Sequence, residues 1–389
     1  EITKGKKWKE NISEYNESIL HTRLGVYIDK VLFNRLFCRY TTDCVKGAYE
    51  VPDYENIVVK LPMHMIERCL YELNDGVKTE MLRRAAAHPS LLKYLDSQIG
   101  SRNLEQLLLQ HVDQYNAQVF FLRREKTKHE NEIDNMNVDI RRNEQAMARA
   151  DVSPKDWRSH QRRIAGILRL KSHAQREIVK LTLKLERVIP ILDKLLESKR
   201  TLYEKIRAKE KLDESEEFKI PTDVMEHLHW SEVLQNGTKI AYVLSKLAKI
   251  FETVPDARII LFSNFNSFLK VVQDALREKN IRYVLCTGNI FMRNKAIDSF
   301  NRDDSVKVIM LSLESAASGA NLQQATHVIL MEPPPGSKEE ANAIESQAIG
   351  RAHRQGQTKK LTVIRLVMTR SIEEELLERQ DETAAWRRI

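Results

Sequence analysis

Two different hydrophobic periods divide the chain. In the first, apolar residues recur three and four apart through Leu108, Val112, Tyr115, Val119, Leu122, Ile133, Met136, Ile140 and Met147. That is a heptad seam, and it predicts a helix buried along one edge. Lys126, His129 and Asn143 interrupt it at core positions. A second seam runs through Ile164, Lys171, Ala174, Ile178, Leu181, Leu185, Val188, Leu192, Leu195, Leu202 and Ile206. Between them, Ala150–Ser153 supplies a turn. Ser153 suits the cap of the second helix, Pro154 its first position, and Asp156 its acid-favouring first turn. Pro190 predicts a kink. The economical solution is an antiparallel coiled-coil hairpin, and an arm of about 45 residues would reach on the order of 65 Å.

The second period begins near Gly237-Thr-Lys-Ile240. Arg258–Ser263, Tyr283–Leu285, Val306–Leu311, His327–Met331 and Thr362–Leu366 read as strands. Asn266–Lys279, Phe291–Phe300, Ser337–His353 and Ile372–Gln380 read as helices. Such alternation predicts an α/β lobe, a parallel sheet covered by helices on both faces. Ligands in these sheets sit at the strand carboxyl ends. Ahead of the hairpin, Tyr54–Leu61 has strand character and Met63–Leu73 reads as a helix. A further helix over Glu80–Leu92 is stopped by Pro89. Residues 1–30 are polar, with helical stretches such as Glu14–Leu20, and carry no recognisable chemistry. The chain thus divides into a helical linking region over 1–99, the hairpin over 100–216 and the α/β lobe over 217–389.

Composition narrows the function. Of 389 residues, 42% are hydrophobic and 30% charged, and the net charge is +8. That balance favours an anionic partner. No apolar run approaches membrane-spanning length. Cys38, Cys44, Cys69 and Cys286 form no Cys-x-x-Cys pair, which argues against a zinc finger or a disulfide framework. The charge is uneven: Lys155 to Arg187 holds 10 basic and 3 acidic residues, a net of +7. Arg158, Arg162 and Arg163 open that stretch. It reads equally as a solvated coiled-coil exterior or as a phosphate contact.

The candidate chemistry centres on Gln347-Ala-Ile-Gly-Arg-Ala-His-Arg-Gln-Gly-Gln357. Arg351 and Arg354 stand three apart, a spacing that on a helix aims both guanidiniums to one side, with Gln347 a turn earlier. Gly350 allows close approach. Two permanent forked cations suit a polyphosphate whose charge shifts during cleavage.

These residues resemble motif VI of the Swi/Snf-type helicase-like ATPases of superfamily two. The resemblance extends to Val308–Leu322 as motif V, to Ile259–Ser263 as motif IV, and to Thr287-Gly288 with Ala296–Asn301 after it. Residues 31–74, including Leu36–Val45, resemble the segment following the first ATPase lobe, and Glu80–Leu92 the family's Asn-His-Pro helix. The resemblance implies a RecA-like second lobe of a DNA-dependent ATPase that moves along duplex DNA. It implies Arg354 as arginine finger with Arg351 beside it. Gly319, Asn321 and Gln347 would lie by the nucleotide, and Ser263, Thr287 and Ser312 would meet DNA phosphates. Ser263 and Ser312 equally suit strand ends that satisfy local backbone. ATP with Mg2+ is the implied cofactor, double-stranded DNA or a nucleosome the implied partner, and the nucleus the implied location. The hairpin could also receive a protein.

The phosphate loop Gly-x-x-x-x-Gly-Lys-Ser/Thr and an acidic box do not occur in these residues. With Glu1 in place of Met, that leads to the expectation of a C-terminal part whose magnesium ligands lie in a preceding lobe. Two segments depart from the family pattern. Ala316-Ala-Ser-Gly-Ala-Asn-Leu322 replaces a glycine-richer motif V. Pro333-Pro-Pro-Gly-Ser-Lys338 replaces Trp-Asn-Pro. Glu332-Pro333 and Ala325-Thr-His-Val328 resemble the branch carrying histone-linker, PHD and RING domains, a ubiquitin ligase. A non-catalytic adaptor acting through the hairpin is the competing reading.

Overall fold

The computed structural model describes residues 53–74, 78–92, 102–208, 228–312 and 321–381. Residues 1–30, the segment Leu36–Val45 with Cys38 and Cys44, and Gly319 lie outside the described residues.

Six strands form one all-parallel sheet in the order β1-β6-β5-β2-β4-β3. They are β1 (Glu55–Leu61), β2 (Ile259–Ser263), β3 (Tyr283–Cys286), β4 (Val308–Ser312), β5 (His327–Leu330) and β6 (Thr362–Met368). Every residue of β2 and β4 is buried. Central parallel strands are covered on both faces, so Ile259-Ile-Leu-Phe reads as a continuous apolar run without alternation. On one face the sheet packs against α6 (Thr238–Thr253), α7 (Asn266–Glu278) and the root of the hairpin. On the other it packs against α8 (Ile290–Arg302) and α9 (Lys338–Ile349). The layered α/β lobe expected from the strand–helix alternation is what the chain adopts, and two long helices precede most of its sheet.

Strand β1 is where the sequence divisions and the structure differ. It precedes the hairpin, yet it pairs with β6 from Glu55↔Thr362 to Leu61↔Met368. The sheet therefore takes one strand from before the hairpin and five from after it, and the hairpin is inserted after β1. No local signal records this, because the pairing joins segments some 300 positions apart.

Two helices between β1 and the hairpin, α1 (Met65–Glu72) and α2 (Thr79–Ala87), fall where expected. His88 is extended (φ −168°, ψ 136°) ahead of Pro89, which ends α2. Helix α6 was not apparent from the sequence. Residues Thr238–Leu244 are all buried, so its first two turns show no apolar period, and only the second half alternates buried Leu247 and Ile250 with exposed Lys249 and Glu252.

The hairpin comprises α3 (Leu104–Met147) and α4 (Pro154–Ala208). Ser153 Oγ accepts from Asp156 N at 3.2 Å, as a capping residue should. Helix α4 continues through Pro190, which is exposed. The inner seam holds Ala174, Leu185, Val188, Leu192, Leu195 and Leu202. Ile206, expected to continue it, is 42% exposed. The register explains this: Tyr203 Oη already donates to Glu105 at 2.9 Å, in the first turn of α3. Ile206 lies beyond the end of its partner helix. The polar interruptions are matched across the pair. His160 Nδ1 meets Asn143 Oδ1 at 2.7 Å, and Lys171 Nζ donates to Asn137 Oδ1 at 2.6 Å.

A buried polar knot joins α1, α2 and α6 beneath the sheet. Glu67 accepts from Thr238 N and Thr238 Oγ1, at 2.9 and 2.5 Å, and from His64 N at 2.9 Å. His88 Nε2 meets the carbonyl of Asn236, the last residue of the short helix α5 (Trp230–Asn236), at 3.0 Å. Gly237 (φ +81°, ψ 159°) turns the chain here, and a Cβ on it would stand 2.8 Å from the His88 ring. Glycine is required on both counts. The neighbouring Lys239 is fully buried against Glu373, at 2.5 Å.

Candidate nucleotide and nucleic-acid site

The arginine segment is not helical, contrary to the expectation from the Arg351–Arg354 spacing. Helix α9 opens with a capping box between Ser337 and Glu340 and closes at Ile349, with Gly350 as its cap. The chain then leaves the helix because its carbonyls find other donors. The Arg351 carbonyl accepts from Leu322 N at 3.0 Å. The Ala352 carbonyl accepts from Gln357 Nε2 at 3.3 Å. The two arginines stand in a braced loop rather than on one helical face.

Gln357 is the brace. It is 4% exposed, its Nε2 also donates to the Ala325 carbonyl at 3.0 Å, and its Oε1 accepts from Lys359 N at 3.0 Å. Gly356 (φ +97°) lies against the Gln323 amide, and Gln323 Nε2 donates to the Gln355 carbonyl. His353 packs edge-on to Tyr54 with ring centroids 5.0 Å apart. The loop is therefore fastened to the segment 321–326 that leads into β5, and it directly precedes β6. It lies at the amino ends of those strands. Ligands of such sheets ordinarily sit at the opposite, carboxyl rim; the loop is here because it joins α9 to the start of a parallel strand.

Arg351 is 8% exposed, and burial with the adjacent Arg354 charge lowers its pKa. Arg354 is exposed. Among the described residues neither guanidinium has a carboxylate partner. Arg293, near the start of α8, is a residue the sequence reading passed over. Its charge and that of Arg351 both act on the buried Cys286 thiol, while burial pushes that thiol up. Arg293 Nε is buried with no hydrogen-bond partner among the described residues. The signal was available, two positions beyond the exposed Ile290 and Phe291, but an isolated arginine has no spacing to mark it. Asn321 is exposed and its carbonyl accepts from Asn301 Nδ2 at 3.0 Å. Gln347 is exposed on α9.

Ser263 and Ser312 face each other in register at the carboxyl ends of β2 and β4, and Thr287 follows β3. The structure thus brings the three to one rim but turns Ser263 inward. Ser263 is fully buried. Its hydroxyl accepts from Phe265 N and donates to Glu332 Oε1, both at 3.0 Å. Glu332 Oε2 in turn accepts from Asn264 N at 3.0 Å, and Asn264 Nδ2 donates to the Pro333 carbonyl at 2.9 Å. Burial pushes the Glu332 carboxyl up to about 7. The local-backbone alternative for Ser263 therefore matches its side-chain geometry. The Glu332-Pro333 segment ties down the turn after β2. Ser312 is 2% exposed, while Thr287 is partly exposed and is followed by Gly288 at φ +87°. Arg158, Arg162 and Arg163 are exposed on α4 near the hairpin turn. Among the described residues no His, Cys, Asp and Glu group is arranged to hold a metal ion.

Residues 238–356 match the helicase conserved C-terminal domain. An uncharacterized ATP-dependent helicase of Schizosaccharomyces pombe is 36% identical over 155 residues, 39% of this chain and 14% of that protein. The DNA repair protein rad8 of the same yeast is 30% identical over 155 residues, 39% of this chain and 13% of its own length. The human E3 ubiquitin-protein ligase SHPRH is 33% identical over 142 residues, 36% of this chain and 8% of its own length. The match thus spans a small part of each relative. A crystal structure of the C-terminal part of the Fun30 ATPase domain aligns with a TM-score of 0.40 at 17% identity, covering 86% of this chain and 90% of that one. Over residues 238–356 the chain is thus similar to the helicase conserved C-terminal domain of ATP-dependent helicases.

Proposed function

We propose that this chain is the second lobe of a DNA-dependent ATPase that translocates along duplex DNA, with a hairpin inserted beside its sheet. One observation carries the reading. Arg351 and Arg354 are adjacent permanent cations, held in a loop braced by Gln357, with no carboxylate to neutralise them among the described residues. A polyphosphate bound beside this loop would supply the missing negative charge. Arg354, exposed beside it, takes the role of finger for the transferring phosphoryl. Arg351, buried and fixed through its carbonyl to Leu322, would orient the nucleotide beside it, with Asn321 and Gln347 on the approach. ATP would be bound with Mg2+ by a preceding lobe. Thr287 and the strand-end amides at Ser263 and Ser312 would meet the DNA backbone. The Ser263 hydroxyl acts through the turn it caps. Relatives named for DNA repair and for ubiquitin ligation favour a nuclear, chromatin-linked setting.

In the whole protein, Arg354→Ala should reduce DNA-stimulated ATP hydrolysis by roughly a thousandfold or more while nucleotide binding changes little, because a finger acts on the transition state. Arg354→Lys should not restore it, since a point charge cannot replace the planar fork. Near-normal turnover by the alanine variant would remove Arg354 from this role. The 389 residues by themselves should show no DNA-stimulated hydrolysis, since they contain no phosphate loop to hold the nucleotide. Turnover by the purified chain, abolished by Arg354→Ala in the same preparation, would sink the two-lobe reading.

A further inference from the structure

Helix α4 has two long faces, and only one is used by the fold. Its inner seam is buried against α3 through Ala174, Leu185 and Val188. Arg158, Arg162, Arg169, Arg176, Lys180 and Arg187 lie on the opposite side. At 3.6 residues per turn they fall within about 40° of one line, roughly half a turn from the seam. The rise from Arg158 to Arg187 is about 43 Å. All six side chains are exposed. Arg163, one position from Arg162, points about 100° away from the line.

The surroundings of this line are what make it unusual. A solvated helix face of high charge ordinarily alternates sign, so that acids three or four residues away support the bases. Helix α3 does this, with Lys126 near Glu130 at 3.9 Å and Arg142 near Asp139 at 3.4 Å. On α4 no Asp or Glu stands three or four residues from any of the five arginines. Among the described residues none of the five makes an ion pair, and only Lys180 has a partner, Glu177 at 2.7 Å. Like charges at this spacing cost helix stability. The fold gains nothing from them that it could not obtain from mixed charge.

We propose that this row of cations is a second DNA-binding surface, lying along the back of the hairpin and separate from the lobe. Its length corresponds to about a dozen base pairs at the rise of B-DNA. Its arginines match phosphate geometry better than lysines would. The choice of duplex DNA as the polyanion rests on the reading of the lobe as part of a DNA translocase. An acidic protein is the other candidate, because Leu168, Val179 and Leu183 are exposed along one margin at 47%, 58% and 51%. The regular, acid-free row favours DNA: a protein partner would be met by a patch, and a backbone of repeating phosphates by a line.

The test is equilibrium binding of the 389-residue chain, without nucleotide, to a DNA duplex longer than the row, over a series of salt concentrations. Arg158, Arg162, Arg169 and Arg176 are changed together to Gln, which keeps helix propensity. The affinity should fall at least tenfold, and the log–log salt slope should drop by about 3 to 4, at roughly 0.9 per lost phosphate contact. A second variant with Lys at the same four positions should retain the slope. A third, with the paired cations Lys126, Arg142 and Arg200 changed to Gln, should move it by less than the row does. Circular dichroism checks that helix content is kept. An unchanged slope in the helical Gln variant overturns the proposal, as does an equal loss in the paired-cation variant. Binding to poly-glutamate that depends on the row, with DNA affinity unaffected by it, also overturns it and assigns the face to an acidic protein. No ATP turnover enters these measurements, so they fail or succeed apart from the role of Arg354.

Discussion

The residues that hold this lobe together include several ionisable groups forced into unusual states. Burial lowers the His64 and His88 pKa values to about 4, so both imidazoles are neutral in the fold. Between their ordinary value near 6.5 and 4, the unfolded chain binds protons that the native state refuses. Their contribution is therefore present at neutral pH and lost as pH falls through that window. Glu332 has the opposite sign. Its folded pKa is raised to about 7, so between 4.5 and 7 the native state binds a proton that the unfolded chain does not. That contribution is complete at low pH and lost as pH rises through 7. Over the shared window Glu332 opposes the histidines. Glu332→Gln should therefore make stability fall more steeply on acidification between pH 6.5 and 4.5, by up to about 1.4 kcal/mol per pH unit. Denaturant titrations of both proteins at several pH values read this directly. Equal pH slopes would show that Glu332 is not protonated in the fold.

At the scale of elements, the hairpin is two structures joined end to end. Its root is part of the lobe: Leu104, Leu108, Leu195 and Leu202 are buried in the same core as β1, α6 and β2. Further out, Val119, Leu122, Leu185, Val188 and Leu192 form a separate small cluster. Beyond that, seam residues such as Ile133 and Ile140 are only half-buried. Two helices alone cannot enclose a side chain, whereas helices against a sheet can. Truncation costs should follow this gradient. Leu195→Ala is expected to cost about 3–5 kcal/mol, as for other fully buried leucines. Ile140→Ala should cost about 1 kcal/mol, since much of its surface already meets water. Chemical denaturation of the two variants tests the gradient. Similar losses at both sites would mean that the outer hairpin is as firmly packed as the lobe.

For the molecule as a whole, the insertion of the hairpin after β1 makes its root part of the lobe. The strand ahead of the hairpin and the strands behind it share one sheet, so the root cannot shift without disturbing β1, β6 and the knot around Gly237. That knot ties α1 and α2 to α6 through Glu67, His88 and Thr238. The arginine loop, the strand-end hydroxyls and the basic row of α4 sit on different parts of this one body. On the proposed reading, a nucleotide at the loop and DNA on α4 would not compete for the same side chains.

Much of this was written in local sequence. The seams of α3 and α4, the cap at Ser153, the stop at Pro89 and the strands β2 to β6 depend on nearest-neighbour spacing, which a single chain displays openly. The arginine pair was legible from its flanking residues. Tertiary structure decided the rest, because each remaining feature joins distant segments. Strand β1 enters the sheet only by pairing with β6. Helix α6 hides its start because Thr238–Leu244 are buried all round by distant segments. Ser263 turns from the surface because Glu332, 69 positions later, accepts its hydroxyl. Arg351 and Arg354 leave their helix because Leu322 and Gln357 bind the carbonyls that would have continued it.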